Sequence, residues 1–369
     1  MPSIKSLTPA LSSIVLFLFG SIAACSVSAQ TVPEDQWRTL NRAVIDQHIM
    51  PRYQNLAEKS ALLEQQTERF CHTPDRANLN SARASFKAAL KSWQGVQHIQ
   101  FGPVTLLMRN YSLQYWPDKK NTGGRQLKAA LKLENPVFDE EFFRSASVSL
   151  KGFPALERLL FGKTVSVREN KLACSLATAI ARNIHTMSRS IREEWKEEAR
   201  QIELAGKPHD GAAYQVYETP SEAATELMKS LVEPVEAIRD NKILRPLSKT
   251  IEKSRWSKSE SWRSGQSIEN IRQNLAALHE LYSGTSPVSV KALLEAAGDK
   301  SNAQAIEEQF RLIRNEIDTA SPVTGPTLTE AGYRTLSHIA RQLKILDKRL
   351  ALAMQTLNIR LGFNSRDGD

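Results

Sequence analysis

The chain has 369 residues and a formal net charge of +9, and 41% of its residues are hydrophobic. Without a leader, roughly 340 residues exceed one comfortable hydrophobic core, so we expect two domains. A basic chain can indicate a nucleic-acid partner. Here, however, the arginines and lysines of residues 182–200 alternate with glutamates, as on a solvated helix face. We therefore expect no nucleic-acid partner.

Residues 1–29 have the features of a secretory signal peptide: Lys5, an apolar run from Ile14 to Phe19, and then small residues. The run is far shorter than the roughly 20 residues that cross a bilayer. Two processing sites compete. Ile22–Cys25 fits a bacterial lipoprotein signal with Cys25 as the lipidated residue, and Val27–Ala29 fits ordinary signal peptidase. Either site predicts a mature chain in the periplasm or cell envelope, touching the membrane only through a lipid anchor.

The cysteines support this compartment. Once Cys25 is lipidated or removed, Cys71 and Cys174 remain. Two cysteines in an oxidising compartment predict one disulfide, and two buried free thiols are the alternative. A bond across a loop of about 100 residues would contribute up to about 4.7 kcal/mol in the chain-entropy model.

Helical periodicity dominates the mature chain and strand patterns are nearly absent, so we predict an all-α fold. The clearest pattern runs from Leu336 to Leu361, with apolar residues three or four apart. Further helices are predicted over 37–70 with a kink near Pro51, and over 76–101, 168–204, 222–243, 268–282, 290–297 and 302–320.

Chain breakers divide these helices. Gly, Pro and Asn residues occur at 121–124, 206–208 and 283–287. The loop from Gly206 to Gly211 separates two similar helix sets. We therefore predict two four-helix-bundle-like domains, residues 30–206 and 207–369, with a cleft between them.

Established catalytic motifs are missing. The sequence contains no H-E-x-x-H, no G-x-S-x-G, no phosphate loop and no dinucleotide fingerprint. The histidines are scattered and no two stand four residues apart, so each is best explained as a structural residue. We predict no catalytic residue and assign no metal ligand. An iron or other divalent cation stays open as a cofactor.

A short helix from Pro154 to Gly162 is the most informative stretch. Proline is favoured in the first turn of a helix, and glycine can end one. Within it, Glu157 shares a face with Phe153, Leu160 and Phe161. A buried carboxylate needs a partner. Glu157 is therefore a candidate ligand-binding residue. In the alternative, it lies at the rim near the helix N-terminus or pairs with an arginine.

Two other segments add candidates. Gln97 lies between Trp93 and Phe101 on the face of a predicted helix. The C-terminal tail carries Asn364, Asp367 and Asp369, whose oxygens would suit a polar turn or a hard cation. We predict that Glu157, Gln97 and the tail surround one cleft, with Arg263 or Arg158 neutralising the carboxylates. Such a cleft favours a polar organic ligand over a bare metal ion.

Several segments together resemble the imelysin-like family of bacterial envelope proteins. They span nearly the whole mature chain, and the helix that follows Gly152 and the C-terminal tail are the most specific. The matching segments are Trp93–Pro103, Trp116–Asp118, Gly152–Gly162, Trp262–Ile271 and Gly362–Asp369. The resemblance implies two helical bundles with a pocket between them, an envelope location and a link to iron uptake. It also implies a metallopeptidase label.

The family's hallmark, G-x-H-x-x-E, is altered in this chain. Gly152 and Glu157 match, but Pro154 stands at the histidine position. Proline has no ligand atom, so Glu157 would need outside partners to hold a metal. The pattern is similar to that of a lipoprotein branch that keeps the fold and changes the site.

Three functions compete. The first is a non-catalytic, monomeric envelope protein that binds a small ligand or an envelope protein between its bundles, in iron acquisition. The second is a metallopeptidase with a degenerate motif, which would require a bound metal. The third is a structural envelope lipoprotein with no small ligand and no cavity beside Glu157.

Overall fold

The computed structural model describes residues 31–163, 167–168, 170–208, 216–319 and 327–362. Regular structure within these ranges is entirely helical, as predicted. The α-helices are α1 (Glu34–Val44), α2 (Met50–His72), α3 (Arg76–Gln94), α4 (Arg109–Leu113), α5 (Thr122–Ala130), α6 (Glu140–Ser145), α7 (Phe153–Phe161), α8 (Lys171–Leu204), α9 (Pro220–Ala237), α10 (Arg245–Leu247), α11 (Ser267–Ser283), α12 (Val290–Ala296), α13 (Lys300–Thr319) and α14 (Glu330–Thr356). Segments Ile45–Ile49 and Ile238–Leu244 are π-helical, and short 3-10 turns cover Gly102–Val104, Leu106–Met108, Val148–Leu150, Ile251–Lys253 and Trp256–Lys258.

The first helical run contains the predicted irregularity. The π-helical segment Ile45–Ile49 joins α1 to α2, and Pro51 stands in the first turn of α2. Proline has no backbone N–H, so the α-helical hydrogen-bond ladder cannot run through it unchanged. The wider π turn accommodates this break and carries His48 into the core.

One helix is shorter than predicted. The pattern extended α3 to Phe101, but α3 ends at Gln94. Arg52 Nε donates a hydrogen bond to the Gly95 carbonyl oxygen at 2.8 Å, where the chain turns away from the helix axis. The assignment of Gln97 to a helix face was therefore wrong, because Gln97 lies in the turn after α3.

The breaker at 121–124 proves to be a helix start. The Asp118 carboxylate accepts hydrogen bonds from Thr122 N at 2.6 Å and Gly123 N at 3.0 Å. A side chain that satisfies free N–H groups stabilises a helix N-terminus. Two adjacent glycines consequently lie in the first turn of α5.

Packing joins the two halves of the chain. α2 packs between α3 and α8, and α7 lies against α3 and α8, while α14 packs against α9 and α13. α1 packs against α9, so the first helix contacts the second helix set. Buried apolar residues of both halves belong to one cluster. The division into domains at residue 206 stays a prediction, and residues 209–215 lie outside the described ranges.

The disulfide prediction is confirmed. Cys71 and Cys174 are bonded, with their Cα atoms 5.5 Å apart. The bond joins the end of α2 to the start of α8 across 103 positions of sequence. It therefore fixes the ends of the two helices that form the centre of the first set.

The predicted signal peptide and the predicted lipidation site at Cys25 lie outside the described residues. Within the described ranges, no helix has both the length and the apolarity that a membrane span requires.

Candidate functional site

A cleft of about 260 Å³ opens beside α7. One wall comes from the chain between Gln114 and Arg158, and the other from Arg245 and the loop between Ser257 and Arg263. Both helix sets therefore contribute to it. The lining residues are Gln114, Tyr115, Trp116, Pro117, Asp118, Lys119, Asn121, Gly123, Ser149, Pro154, Glu157, Arg158, Arg245, Ser257, Lys258, Ser259, Ser261, Trp262 and Arg263.

Glu157 forms part of the cleft wall and is only 4% exposed. Its Oε1 accepts two hydrogen bonds from Ser264, one from the backbone N at 2.8 Å and one from Oγ at 2.7 Å. Within the described ranges, Oε2 has no hydrogen-bond partner. The carboxylate is thus held by a serine of the opposite wall rather than by a direct arginine contact, and one oxygen is left available.

Burial raises the pKa of Glu157. The two Ser264 hydrogen bonds oppose this shift, and so do the positive charges of Arg263 and Arg158. The pKa remains above the ordinary value because the loss of solvation outweighs these stabilising contacts.

The start of α7 explains two motif residues. A Cβ at Gly152 would lie 2.1 Å from the Ser112 carbonyl oxygen and 2.3 Å from that of Leu113. Only glycine permits this backbone approach. Pro154 occupies the first turn of α7 and lines the cleft, where it offers neither a ligand atom nor an N–H.

The facing loop is shaped by its backbone. Ser261 and Gly265 adopt left-handed φ values of 54° and 70°. Ser259 Oγ and Ser267 Oγ lie 2.8 Å apart and tie the two ends of the loop together. The tight turn between them directs the Ser264 backbone N–H at Glu157.

Three arginines surround the cleft. Arg158 Nη2 lies 3.3 Å from Asp118 Oδ2. The Arg263 guanidinium stacks on Trp262, with its carbon 4.6 Å from the ring centre. Arg245 has a buried Nη1 with no hydrogen-bond partner within the described ranges. Neither Arg245 nor Arg263 forms an ion pair there, although the charges of Glu157 and Asp118 act on Arg263 from a longer distance. The lining therefore carries more positive than negative charge.

Gln97 lies outside this lining and binds a buried lysine. Lys242 Nζ is 2.8 Å from Gln97 Oε1, 2.6 Å from Asn274 Oδ1 and 2.9 Å from Glu260 Oε2. Glu260 in turn accepts a hydrogen bond from Gln114 Nε2 at 3.0 Å. A continuous polar network thus leads from Gln97 to Gln114 in the cleft wall.

A second buried polar pair lies near this network. His48 Nε2 and His98 Nε2 are 2.8 Å apart and almost inaccessible to solvent. Burial lowers the pKa of His48 to about 4 and that of His98 well below its usual value. Glu280, whose pKa falls to about 2 through its contacts with His48 and Arg52, lies at the edge of the pair. Both imidazoles are therefore neutral at pH 7.

The structure brings together some of the predicted ligand-binding residues. Glu157 and Arg263 line the same cleft, Gln97 reaches it only through Lys242, and Asn364, Asp367 and Asp369 lie outside the described residues. Sequence reasoning missed Arg245 and Lys258. The alternation of Trp, Ser and basic residues over 256–263 was a usable signal for Lys258, whereas Arg245 joins the cleft only through tertiary packing.

Among the described residues, no group of three or more His, Cys, Asp or Glu side chains is arranged to hold a metal ion. At the cleft itself, Pro154 replaces the motif histidine, Ser264 occupies one oxygen of Glu157, and arginines are the nearest charges. Guanidinium groups repel a cation. The residues present therefore do not fit a metal site of the His–Glu type.

Comparison with known families identifies the fold. The model of the Imelysin family, Peptidase_M75, matches residues 49–349. The chain belongs to the imelysin family. A curated relative, "Iron-regulated protein A" of Synechococcus elongatus, is 26% identical over 279 residues, which are 74% of this chain and 70% of that protein.

Two solved structures have the same fold. An imelysin-like protein from Psychrobacter arcticum aligns with a TM-score of 0.74 at 18% identity, covering 91% of this chain and 99% of that one. A putative iron-regulated protein A precursor from Parabacteroides distasonis aligns with a TM-score of 0.70 at 16% identity, covering 89% and 97%. These similarities support the all-α assignment.

Proposed function

We propose that this imelysin-family chain is a non-catalytic binding protein of the cell envelope that holds a polar organic ligand in the cleft beside Glu157. The observation that carries the proposal is the buried Glu157 carboxylate, which uses one oxygen for Ser264 and leaves the other without a partner within the described ranges. Because Glu157 lines the cleft, a hydrogen-bond donor on a bound ligand could reach that second oxygen.

An iron-related role is consistent with the relatives. One is named an iron-regulated protein and another an iron-regulated protein precursor. The word precursor also fits the export predicted for residues 1–29, with anchoring at Cys25 as the finer proposal. An envelope protein partner and a monomeric state belong to the same proposal.

Peptidase activity has weaker support. The family model carries a peptidase label, but the motif position that would supply a histidine ligand holds Pro154. No observation on the described residues favours hydrolysis.

Two variants of Glu157 test the proposal. We expect Glu157→Ala to weaken ligand binding at least about tenfold, since a hydrogen bond to a charged group contributes about 1.5–3 kcal/mol. Helicity should be unchanged. Glu157→Gln keeps the shape without the charge, and Glu330→Gln, at an exposed residue of α14, is the control.

The measurement is mass spectrometry of small molecules that remain bound to protein purified from its native envelope, with elemental analysis alongside. Full retention of the bound molecule in a folded Glu157→Ala protein would contradict the proposal. So would recovery of protein with no bound organic molecule.

A further inference from the structure

We propose that the cleft recognises a small organic anion with two or more carboxylate groups, gripped mainly by Arg245 and Arg263. This inference rests on the proposed binding function and names the ligand class.

The charge of the cleft lining is the first argument. Five cationic side chains line it, against the two carboxylates Asp118 and Glu157. The cations are Arg158, Arg245, Arg263, Lys119 and Lys258. Asp118 is already used by Arg158 and by the first amides of α5. The remaining positive charge favours an anion.

The second argument is that two guanidinium groups lack partners. Two other partly buried arginines are held by carboxylates: Arg109 binds both oxygens of Glu194, and Arg52 binds Glu280. In the described part of the chain, Arg245 and Arg263 have no such carboxylate, and Arg245 Nη1 is buried without any hydrogen bond. Both side chains are partly shielded from water, and a partly desolvated charge is stabilised by a counter-charge.

Burial is the main cause of a lowered pKa at both residues, and the nearby charge of Arg158 adds to it at Arg263. An arginine side chain nevertheless stays protonated. Arg158 and Arg263 are therefore held near each other, and the charges of Glu157 and Asp118 offset only part of their repulsion. A bound anion would neutralise the positive charge that remains.

The donors present favour carboxylates over phosphate. Phosphate is commonly bound by backbone N–H groups at helix N-termini. At the cleft, Asp118 occupies the amides of Thr122 and Gly123, and Pro154 removes an N–H from the first turn of α7. Guanidinium groups remain as free donors, and they bind carboxylate and phosphate oxygens alike in a two-bond geometry. The preference for carboxylates therefore rests on the missing backbone N–H donors.

Size and shape limit the ligand further. A volume of about 260 Å³ suits a molecule with a few carbon atoms rather than a folded partner. Trp116 and Trp262 supply apolar surface for its carbon skeleton. The two arginines stand on separate segments, so each can hold a different carboxylate.

The test is calorimetric titration of the full mature chain with citrate at pH 7, with inorganic phosphate and glycerol as comparison probes. We expect one citrate per chain, weaker binding at higher salt, and no comparable binding of phosphate or glycerol. Arg245→Gln and Arg263→Gln should each weaken citrate at least about tenfold. Arg334→Gln, at an exposed residue of α14, should leave it unchanged.

A lysine variant separates the effect of charge from that of hydrogen-bond geometry. Arg263→Lys keeps the charge but loses the two-bond geometry, so its affinity should fall between those of wild type and Arg263→Gln. Circular dichroism of each variant checks folding. Equal citrate affinity in folded wild-type, Arg245→Gln and Arg263→Gln proteins would overturn the proposal, as would tighter binding of phosphate than of citrate.

The C-terminal tail contains Asp367 and Asp369, whose carboxylates could compete with a ligand for these arginines. A chain that lacks residues 362–369 tests it. If citrate binds only to the shortened chain, the tail carboxylates fill the cleft and the free-ligand proposal is wrong. If a neutral or cationic molecule is recovered from native protein and Glu157→Ala loses it, this inference fails while the proposed function stands.

Discussion

Glu157 shows which properties of a site residue can be predicted from the sequence and which cannot. Its position among Phe153, Leu160 and Phe161 predicted a carboxylate on an apolar helix face, and the structure places it 4% exposed. The partner could not be predicted, because Ser264 approaches from a loop 107 positions away. Burial and charge pattern are local properties, whereas a partner depends on tertiary packing.

The buried His48–His98 pair predicts acid sensitivity. The folded pKa of His48 is about 4, below the ordinary 6.5, so the unfolded chain takes up protons between these values and the folded chain does not. The free energy of unfolding therefore has its full value above about pH 6.5 and decreases as the pH falls towards 4. His48 alone could account for up to about 3 kcal/mol.

The measurement is urea unfolding at several pH values. His48→Gln should flatten the decline between pH 6.5 and 4, and His72→Gln, at an exposed residue, should not. Arg52 and Glu280 border the pair. The folded pKa of Glu280, about 2, lies below its ordinary 4.5, so Glu280 adds to the loss of stability only below about pH 5, and the variants are compared between pH 6.5 and about 5. An unchanged slope in His48→Gln would show that the pair does not cause the effect.

At the scale of elements, helix interiors were predictable and helix ends were not. The pattern over 336–361 predicted α14, and the Pro154–Gly162 pattern predicted α7, because apolar spacing reports a buried face. The end of α3 depends on the Arg52 contact with Gly95, and the start of α5 depends on Asp118. Such contacts form between segments and leave no periodic signal.

The start of α7 gives a prediction about Gly152. Gly152→Ala should lower the free energy of unfolding by about 3 kcal/mol or more, since the new methyl group would overlap two carbonyl oxygens. Gly95→Ala is the matched control, because a Cβ there meets ordinary contacts, the nearest at 3.4 Å. Chemical denaturation compares them, and equal stability of both variants would contradict the account.

Across the whole molecule, polar contacts join the two helix sets at their junction. Lys242 connects Gln94 and Gln97 of the first set to Asn274 and Glu260 of the second. Burial lowers the pKa of Lys242, and the charge of Glu260 opposes the shift. The junction behind the cleft is therefore a buried polar network and not an apolar seam.

This network predicts that the contributions of Lys242 and Glu260 to stability depend strongly on each other. Lys242→Met should cost about 3–5 kcal/mol of stability because Glu260 loses its buried counter-charge. Lys242→Met combined with Glu260→Leu should recover much of that loss. A double-mutant cycle by urea unfolding measures it. Additive losses would mean that the two charges do not depend on each other.

The most direct test of the central claim is a crystal structure of protein purified from its native envelope without added carboxylates. We predict an organic anion in the cleft, with carboxylate oxygens within hydrogen-bond distance of Arg245 and Arg263 and a donor group, such as a hydroxyl, facing the second oxygen of Glu157. A cleft filled by residues 363–369, or a metal ion coordinated by Glu157, would contradict it.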